Sequence, residues 1–287
     1  MSHPAQLSSP PPPVQDTLIT FPKPHVLLVT LNRPKALNAI PTLQHPALAA
    51  LWNWFDTQPY LRCAVFTGSG RAFCAGADLK EWDNRNNTSS PSQQENNSTS
   101  SSSWPEGFGG LSNRIGKKPI IAAVNGLCYG GGMEMVINCD LVIADGQKAK
   151  FGLPEVTKGV VALAGALPRL IKSVGRQRAS ELALLGRVGY TAQKMQEWGL
   201  VNFVVTEGQD VVEEAVKLAE EISGNSPDAV IVSREGLRLG WEGVGPVLAT
   251  EVVEKGVYGR IDKGENMREG TKSFVERRKP VWVDSKL

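Results

Sequence analysis

The sequence predicts an α/β protein: strands and helices alternate through the N-terminal two-thirds, and helices dominate the rest. Three observations carry this. Short apolar runs at Val26–Leu31, 62–67, 120–124 and 141–144 are bounded by Gly, Pro and Asn signals and are the length of buried strands. Helical patterns lie between the runs, as β-α crossovers require. In 210–222, Val211, Ala215, Leu218 and Ile222 recur at i, i+4, i+7 and i+11, which is one face of a helix.

In chain order, residues 1–16 carry a run of prolines and little to bury, so they read as a disordered lead-in. The strand at 26–31 ends at Asn-Arg-Pro. A helix over 46–56 begins at Pro46 and turns Leu48, Leu51, Trp52 and Phe55 to one side. The strand at 62–67 closes on Gly-Ser-Gly. Residues 84–103 hold no apolar side chain except one proline and read as a disordered polar loop. Strands at 120–124 and 141–144 flank a glycine-rich stretch and a helix at 132–138. The organisation expected is an α/β core at 17–205, a helical region at 206–283, and a terminal tripeptide at 285–287.

Composition removes several functions. Lys and Arg number 31 against 29 Asp and Glu, a net charge of +2, so no electrostatic case exists for nucleic acid. The four cysteines form no C-x-x-C pair, and His3, His25 and His45 make no metal-ligand pattern; no metal site is expected. No apolar run approaches the ~18 residues of a membrane span. The chain closes on Ser285-Lys286-Leu287, which reads as a peroxisomal address recognised by an import receptor.

The stretch Asn125-Gly-Leu-Cys-Tyr-Gly-Gly-Gly-Met-Glu134 asks what three glycines do before a carboxylate. Without Cβ atoms the backbone can approach a ligand closely. A helix starting there directs free N–H groups at developing negative charge. A second small-residue corner, Cys74-Ala-Gly-Ala-Asp78, follows the strand at 62–67. Two corners each giving one N–H would form an oxyanion hole, although each alone is also what tight packing demands. Glu134 sits among Met133, Met135, Val136 and Ile137, and Glu155 follows Phe-Gly-Leu-Pro. A carboxylate among apolar neighbours is costly unless it is paired or working. If both reach one water, one serves as base and the other as acid. No G-x-S-x-G and no nucleotide-binding glycine pattern occurs. Asp78 reads as a turn cap.

Taken together, N-R-P-K-A-L-N-A (32–39), F-C-A-G-A-D-L-K-E (73–81), K-K-P-I-I-A-A-V-N-G (117–126), G-G-G-M-E (130–134) and K-F-G-L-P-E-V (150–156) resemble the crotonase, or enoyl-CoA hydratase/isomerase, superfamily. The resemblance covers about 20–283 and includes 189–202 and 268–280. It implies a crotonase-like spiral of repeated ββα units with a C-terminal helical trimerisation region, assembling as a trimer or a dimer of trimers. It implies an acyl-CoA thioester substrate whose carbonyl lies between the N–H groups of Ala77 and Gly131. In hydrating members, the residues matching Glu134 and Glu155 activate water and protonate the α-carbon. No cofactor is implied, because coenzyme A is part of the substrate. Ala36, Leu37, Ala75 and Asp78 fall where the family grips its ligand, and Tyr258 and Arg277 fall near the adenine end. Retention of both glutamates favours enoyl-CoA hydratase over Δ3,Δ2-enoyl-CoA isomerase or acyl-CoA thioesterase, and over a non-catalytic acyl-CoA-binding scaffold.

The sequence departs from the family after Glu155. Leu163 stands where glycine is common, while Gly165 remains, so a reshaped acyl pocket is expected. Fungal peroxisomal members include hydratases of branched acyl-CoAs in siderophore synthesis. Interconversion of mevalonyl-CoA and anhydromevalonyl-CoA is one candidate, beside straight-chain fatty acid metabolism.

Overall fold

A computed structural model describes residues 4–88 and 105–287. Among the described residues, ten strands form two sheets. The larger contains β1 (Thr17–Lys23), β2 (Val26–Leu31), β3 (Cys63–Gly68), β5 (Ile120–Val124), β7 (Leu141–Asp145) and β10 (Phe203–Val205), in that spatial order. Only β1 runs antiparallel to its neighbour. The smaller sheet orders β4 (Ala72–Cys74), β6 (Leu127–Tyr129), β8 (Lys150–Gly152) and β9 (Val188–Thr191).

Parallel strands are covered on both faces, which is why β3 and β5 read as unbroken apolar runs and are buried throughout. The alternate residues Cys63, Val65, Ile121 and Ala123 meet a helix over Val211–Ser223, through Val211, Ala215, Val216 and Ala219. The opposite set, including Ala64, Phe66, Ala122 and Val124, enters the main core between the sheets. There Phe66 meets Trp52 and Phe73 edge-on, with centroids 5.4 and 5.2 Å apart. Such geometry adds roughly 0.5–1.5 kcal/mol per pair beyond area burial.

The chain repeats one pattern: a strand in the large sheet, a strand in the small sheet, then a helix. Thus β3 and β4 lead to α2 (Leu79–Thr88), after α1 (Gln44–Thr57) has joined β2 to β3. β5 and β6 lead to α3 (Gly131–Ile137), and β7 and β8 to α4 (Ala166–Val174). Then follow α5 (Arg176–Leu185), α6 (Ala192–Glu197), the sheet-covering α7 (Val211–Ser223), α8 (Pro227–Trp241), α9 (Pro246–Lys255) and α10 (Glu265–Val275). A buried charge cluster fastens α1 to the start of β5. Arg114 pairs with Asp56 at 2.8 Å, and Lys118 donates to the carbonyls of Phe55 and Gln58. Burial brings the Lys118 amine down to about 7.

Two expectations change. Residues 4–16 are anchored, not a loose lead-in: Val14 is buried, Leu7 packs on the core, and Trp54 Nε1 donates to the Ser9 carbonyl at 3.2 Å. The proline run supplies a stiff strap with little entropy to lose, and the apolar residues at its ends hold it down. The expected polar loop at 84–103 is helical backbone to Thr88, and 89–103 lies outside the described residues. Within the helical region expected over 206–283, α7 is a layer of the core.

The terminal tripeptide folds back on the protein. The Ser285 hydroxyl donates to Asp228 at 2.5 Å, Lys286 pairs with Glu265 at 3.0 Å, and the Leu287 carbonyl accepts from Lys117. No helix among the described residues is long and apolar enough to cross a membrane.

Candidate active site

A cavity of about 370 Å³ opens between the loop before α1, the corner after β4, the start of α3 and the segment 154–164. Each glycine of the central stretch has its own reason. Gly130 adopts φ 55° and ψ −126°, a conformation that L side chains avoid. A Cβ on Gly131 would lie 2.5 Å from the Phe108 ring, and one on Gly132 would lie 2.3 Å from the Cys74 carbonyl. The glycines therefore let α3 begin hard against the β4 corner.

That corner is set by one parallel bridge between Ile40 and Ala77. Ile40 donates to the Gly76 carbonyl at 2.9 Å, and Asp78 donates to the Ile40 carbonyl at 3.2 Å. In a parallel bridge the central residue turns its own N–H to the opposite side, so the Ala77 N–H faces away from Ile40. Gly131, in the first turn of α3, has an N–H with no partner within the helix. The corners abut: a Cβ on Gly76 would lie 3.3 Å from the Gly131 nitrogen.

Glu134 and Glu155 both line the cavity. Glu134 is 5 % exposed, and its Oε1 accepts from the N–H groups of Ala164 at 2.9 Å and Ala166 at 3.4 Å. Burial, and then the nearby Glu155 charge, raise its carboxyl from 4.5 to about 7. Burial also raises Glu155, whose Oε2 is enclosed without a hydrogen-bond partner. Glu155 Oε1 would sit 3.3 Å from a Cβ on Gly130, so the second carboxylate reaches the glycine corner. Two enclosed carboxyls with raised proton affinity, beside two free backbone donors, suit proton transfer next to a carbonyl that gains negative charge.

The pattern of the enoyl-CoA hydratase/isomerase family matches residues 23–285. The chain belongs to that family. Within it, this member is 60 % identical over 278 residues to a mevalonyl-coenzyme A hydratase of Beauveria bassiana, covering 96 % of this chain and 98 % of that one. It is 49 % identical to a mevalonyl-coenzyme A hydratase of Aspergillus fumigatus, with 96 % and 98 % covered. Among solved structures, an enoyl-CoA hydratase of Bacillus anthracis superposes with a TM-score of 0.81 at 32 % identity, covering 93 % of this chain and 99 % of that one. An enoyl-CoA hydratase of Mycobacterium tuberculosis gives 0.81 at 31 % identity, covering 94 % and 99 %. The crotonase-like fold expected from the sequence is the fold found.

Of the residues singled out in the sequence, Ala75, Ala77, Asp78, Gly131, Glu134, Glu155 and Leu163 line the cavity of this family member. Ala36, Leu37, Gly165, Tyr258 and Arg277 are not among its lining residues. Gly165 caps α4 at φ 100°, and its flanking alanines, not Gly165 itself, donate to Glu134. Asp78 does more than cap a turn, because its Oδ2 takes the Arg33 guanidinium at 3.0 Å. Sequence reasoning did not find Phe108 or His45, which complete the wall. Phe108 follows a polar stretch with no strand or helix pattern, so only its glycine neighbours marked a tight turn. Among the described residues, no group of three His, Cys, Asp or Glu is placed to hold a metal ion.

Proposed function

We propose that the protein is a hydratase of a branched 2-enoyl-CoA thioester, interconverting mevalonyl-CoA and anhydromevalonyl-CoA. The observation that carries this is the pair Glu134 and Glu155 enclosed on one cavity with the Ala77 and Gly131 donors, in a chain 60 % identical to a mevalonyl-coenzyme A hydratase. In hydration, Glu134 takes a proton from water as its oxygen adds to the β-carbon. Charge flows onto the thioester oxygen, where the Ala77 and Gly131 N–H groups stabilise the enolate. Glu155 then protonates the α-carbon. In dehydration, Glu155 removes the α-proton and Glu134 protonates the departing hydroxyl, so the pair keeps one proton, now on Glu155 in place of Glu134, and no cofactor is consumed. Coenzyme A enters and leaves as part of the substrate.

Self-association as a trimer or a dimer of trimers belongs to the same reading. It is supported by Leu237, Val247, Phe274, Val275 and Val281, each at least 75 % exposed in the C-terminal region. Sedimentation that gives a monomer would remove it. Peroxisomal import through Ser285-Lys286-Leu287 is proposed likewise. Because the tripeptide packs on Asp228 and Glu265, reading it requires that tail to detach. Microscopy of the chain with and without the tripeptide decides the matter.

The deciding assay follows loss of enoyl-thioester absorbance with crotonyl-CoA and with the 3-methyl-branched 5-hydroxy substrate. Turnover of the branched substrate, lost in Glu134→Ala and Glu155→Ala proteins that still fold, is the expected result. A wild type inert on both, yet binding coenzyme A thioesters, overturns it in favour of a binding scaffold.

A further inference from the structure

Beyond the two glutamates and two N–H donors, the polar lining includes Asp78, which is paired with Arg33, the exposed Lys158, and one further section built into the wall. It comprises Thr42, His45 and Glu81, set among apolar neighbours. The section is built by hydrogen bonds. Glu81 Oε2 accepts from the Thr42 N–H at 2.9 Å, and His45 Nδ1 accepts from the Gly109 N–H at 2.9 Å. His45 is 2 % exposed and meets Phe108 edge-on at 4.6 Å. The other side of Phe108 reaches Gly131, since a Cβ there would lie 2.5 Å from its ring. One aromatic ring therefore separates His45 from the donor assigned to the thioester oxygen.

The bond from Gly109 fixes the chemistry of the imidazole. A ring nitrogen that accepts an N–H carries no proton of its own, so the neutral ring holds its proton on Nε2. Burial lowers the imidazolium to about 4, and the ring stays neutral. Thr42 and His45 already have further partners, so a substrate group enters this section by exchanging partners. A neutral donor next to a carboxylate suits a hydroxyl, which can both accept and donate. A second carboxylate suits this section less, because the section itself holds no cation and Glu81 repels the charge, while the Lys158 that lines the same cavity is exposed.

We propose that His45, with Thr42 and Glu81, selects acyl groups bearing a distal hydroxyl and rejects those bearing a distal methyl or carboxylate. This rests on the reading of the substrate as a branched hydroxyacyl thioester. It names the side chains that would distinguish mevalonyl chemistry from the hydrations of plain or dicarboxylic acyl groups.

The test compares kcat/KM for three thioesters that differ only at the fifth carbon: 5-hydroxy-3-methylpent-2-enoyl-CoA, its 5-deoxy analogue and 3-methylglutaconyl-CoA. The wild type should favour the hydroxyl over the deoxy compound by ~10-fold or more, with the carboxylate poorest. His45→Asn places an amide oxygen near Nδ1, which retains the Gly109 bond while withdrawing the Nε2 donor. It should collapse the preference, with the loss falling on the hydroxylated substrate. Ring-nitrogen NMR gives a second readout in the wild type, where only three histidines must be assigned. The His45 Nε2 shift should move with a saturated 5-hydroxy thioester and not with its deoxy analogue. A folded His45→Asn protein that keeps the preference, or a wild type that turns over all three branched compounds alike, overturns the inference while the hydratase stands. A wild type that turns over none of them removes both.

Discussion

Glu134 Oε1 and the Ala164 N–H meet at 2.9 Å, joining the first turn of α3 to the loop before α4, 30 residues on. The bond holds one carboxylate oxygen in a fixed direction and leaves Oε2 as the oxygen for the proton transfer proposed above. It also resists the rise in proton affinity that burial imposes, since N–H donors favour the ionised form.

Replacement of Glu134 by Gln keeps an oxygen acceptor for Ala164 and Ala166, so the fold should survive while hydratase activity falls by ~10²–10⁴. Stability should change in a pH-dependent way. Glu134 binds its proton more tightly folded, near 7, than unfolded, near 4.5. Wild-type stability therefore declines as pH rises through that window, by on the order of 3 kcal/mol. Melting curves should place Glu134→Gln above wild type at about pH 8, with the gap narrowing toward about pH 5. A gap independent of pH would contradict the raised carboxyl.

The Glu155 charge helps to raise Glu134, and the proposed mechanism needs one proton between the two carboxyls in either direction. The kcat/KM profile should be bell-shaped, with its acid limb above the ordinary carboxylate range because burial raises both groups. Glu155→Gln should leave a profile with a single limb. A profile flat from about pH 5 to 9 would exclude the scheme.

Gly131→Ala should fail in a particular way. Its Cβ would strike the Phe108 ring at 2.5 Å, displacing the ring or the N–H that faces the cavity. Activity should fall ~10²-fold or more. Adding Phe108→Leu should recover thermal stability. Recovery of stability without activity would separate the packing role of the glycine from the placement of its donor.

Asn38 gives a test of the frame behind the oxyanion corner. It is 1 % exposed, with Nδ2 on the Ser69 and Ala72 carbonyls at 2.9 and 2.7 Å and Oδ1 accepting the Arg33 N–H at 2.8 Å. Its φ of 56° is tolerated by Asn and Gly. Asn38→Ala should cost about 2–4 kcal/mol in denaturant unfolding. Asn38→Gly should cost less, because glycine removes the backbone strain and leaves only the lost hydrogen bonds.

Much of the fold was legible because buried parallel strands must be continuously apolar. Val26–Leu31 and Ile120–Val124 were read with the boundaries found, and the helix at 210–222 shifted by one residue. The lead-in was misread because composition reports what a segment cannot bury by itself. It says nothing of Trp54 on α1 and Gln58 just after it waiting for Ser8 and Ser9. β9 and β10 were missed because strands of four and three residues carry too little periodicity to stand out among helices.

By itself, the sequence determined the chemistry available: two glutamates placed among apolar residues, two small-residue corners, and a family pattern that orders them. These are properties of neighbours along the chain. Tertiary structure decided which groups meet. It turned the Ala77 N–H away from Ile40, raised Glu134 by burying it beside Glu155, and brought Phe108 and His45 into the wall from elements 23 and 86 residues before Gly131. Direction, burial and charge proximity arise only when separate elements pack, and no local pattern encodes them.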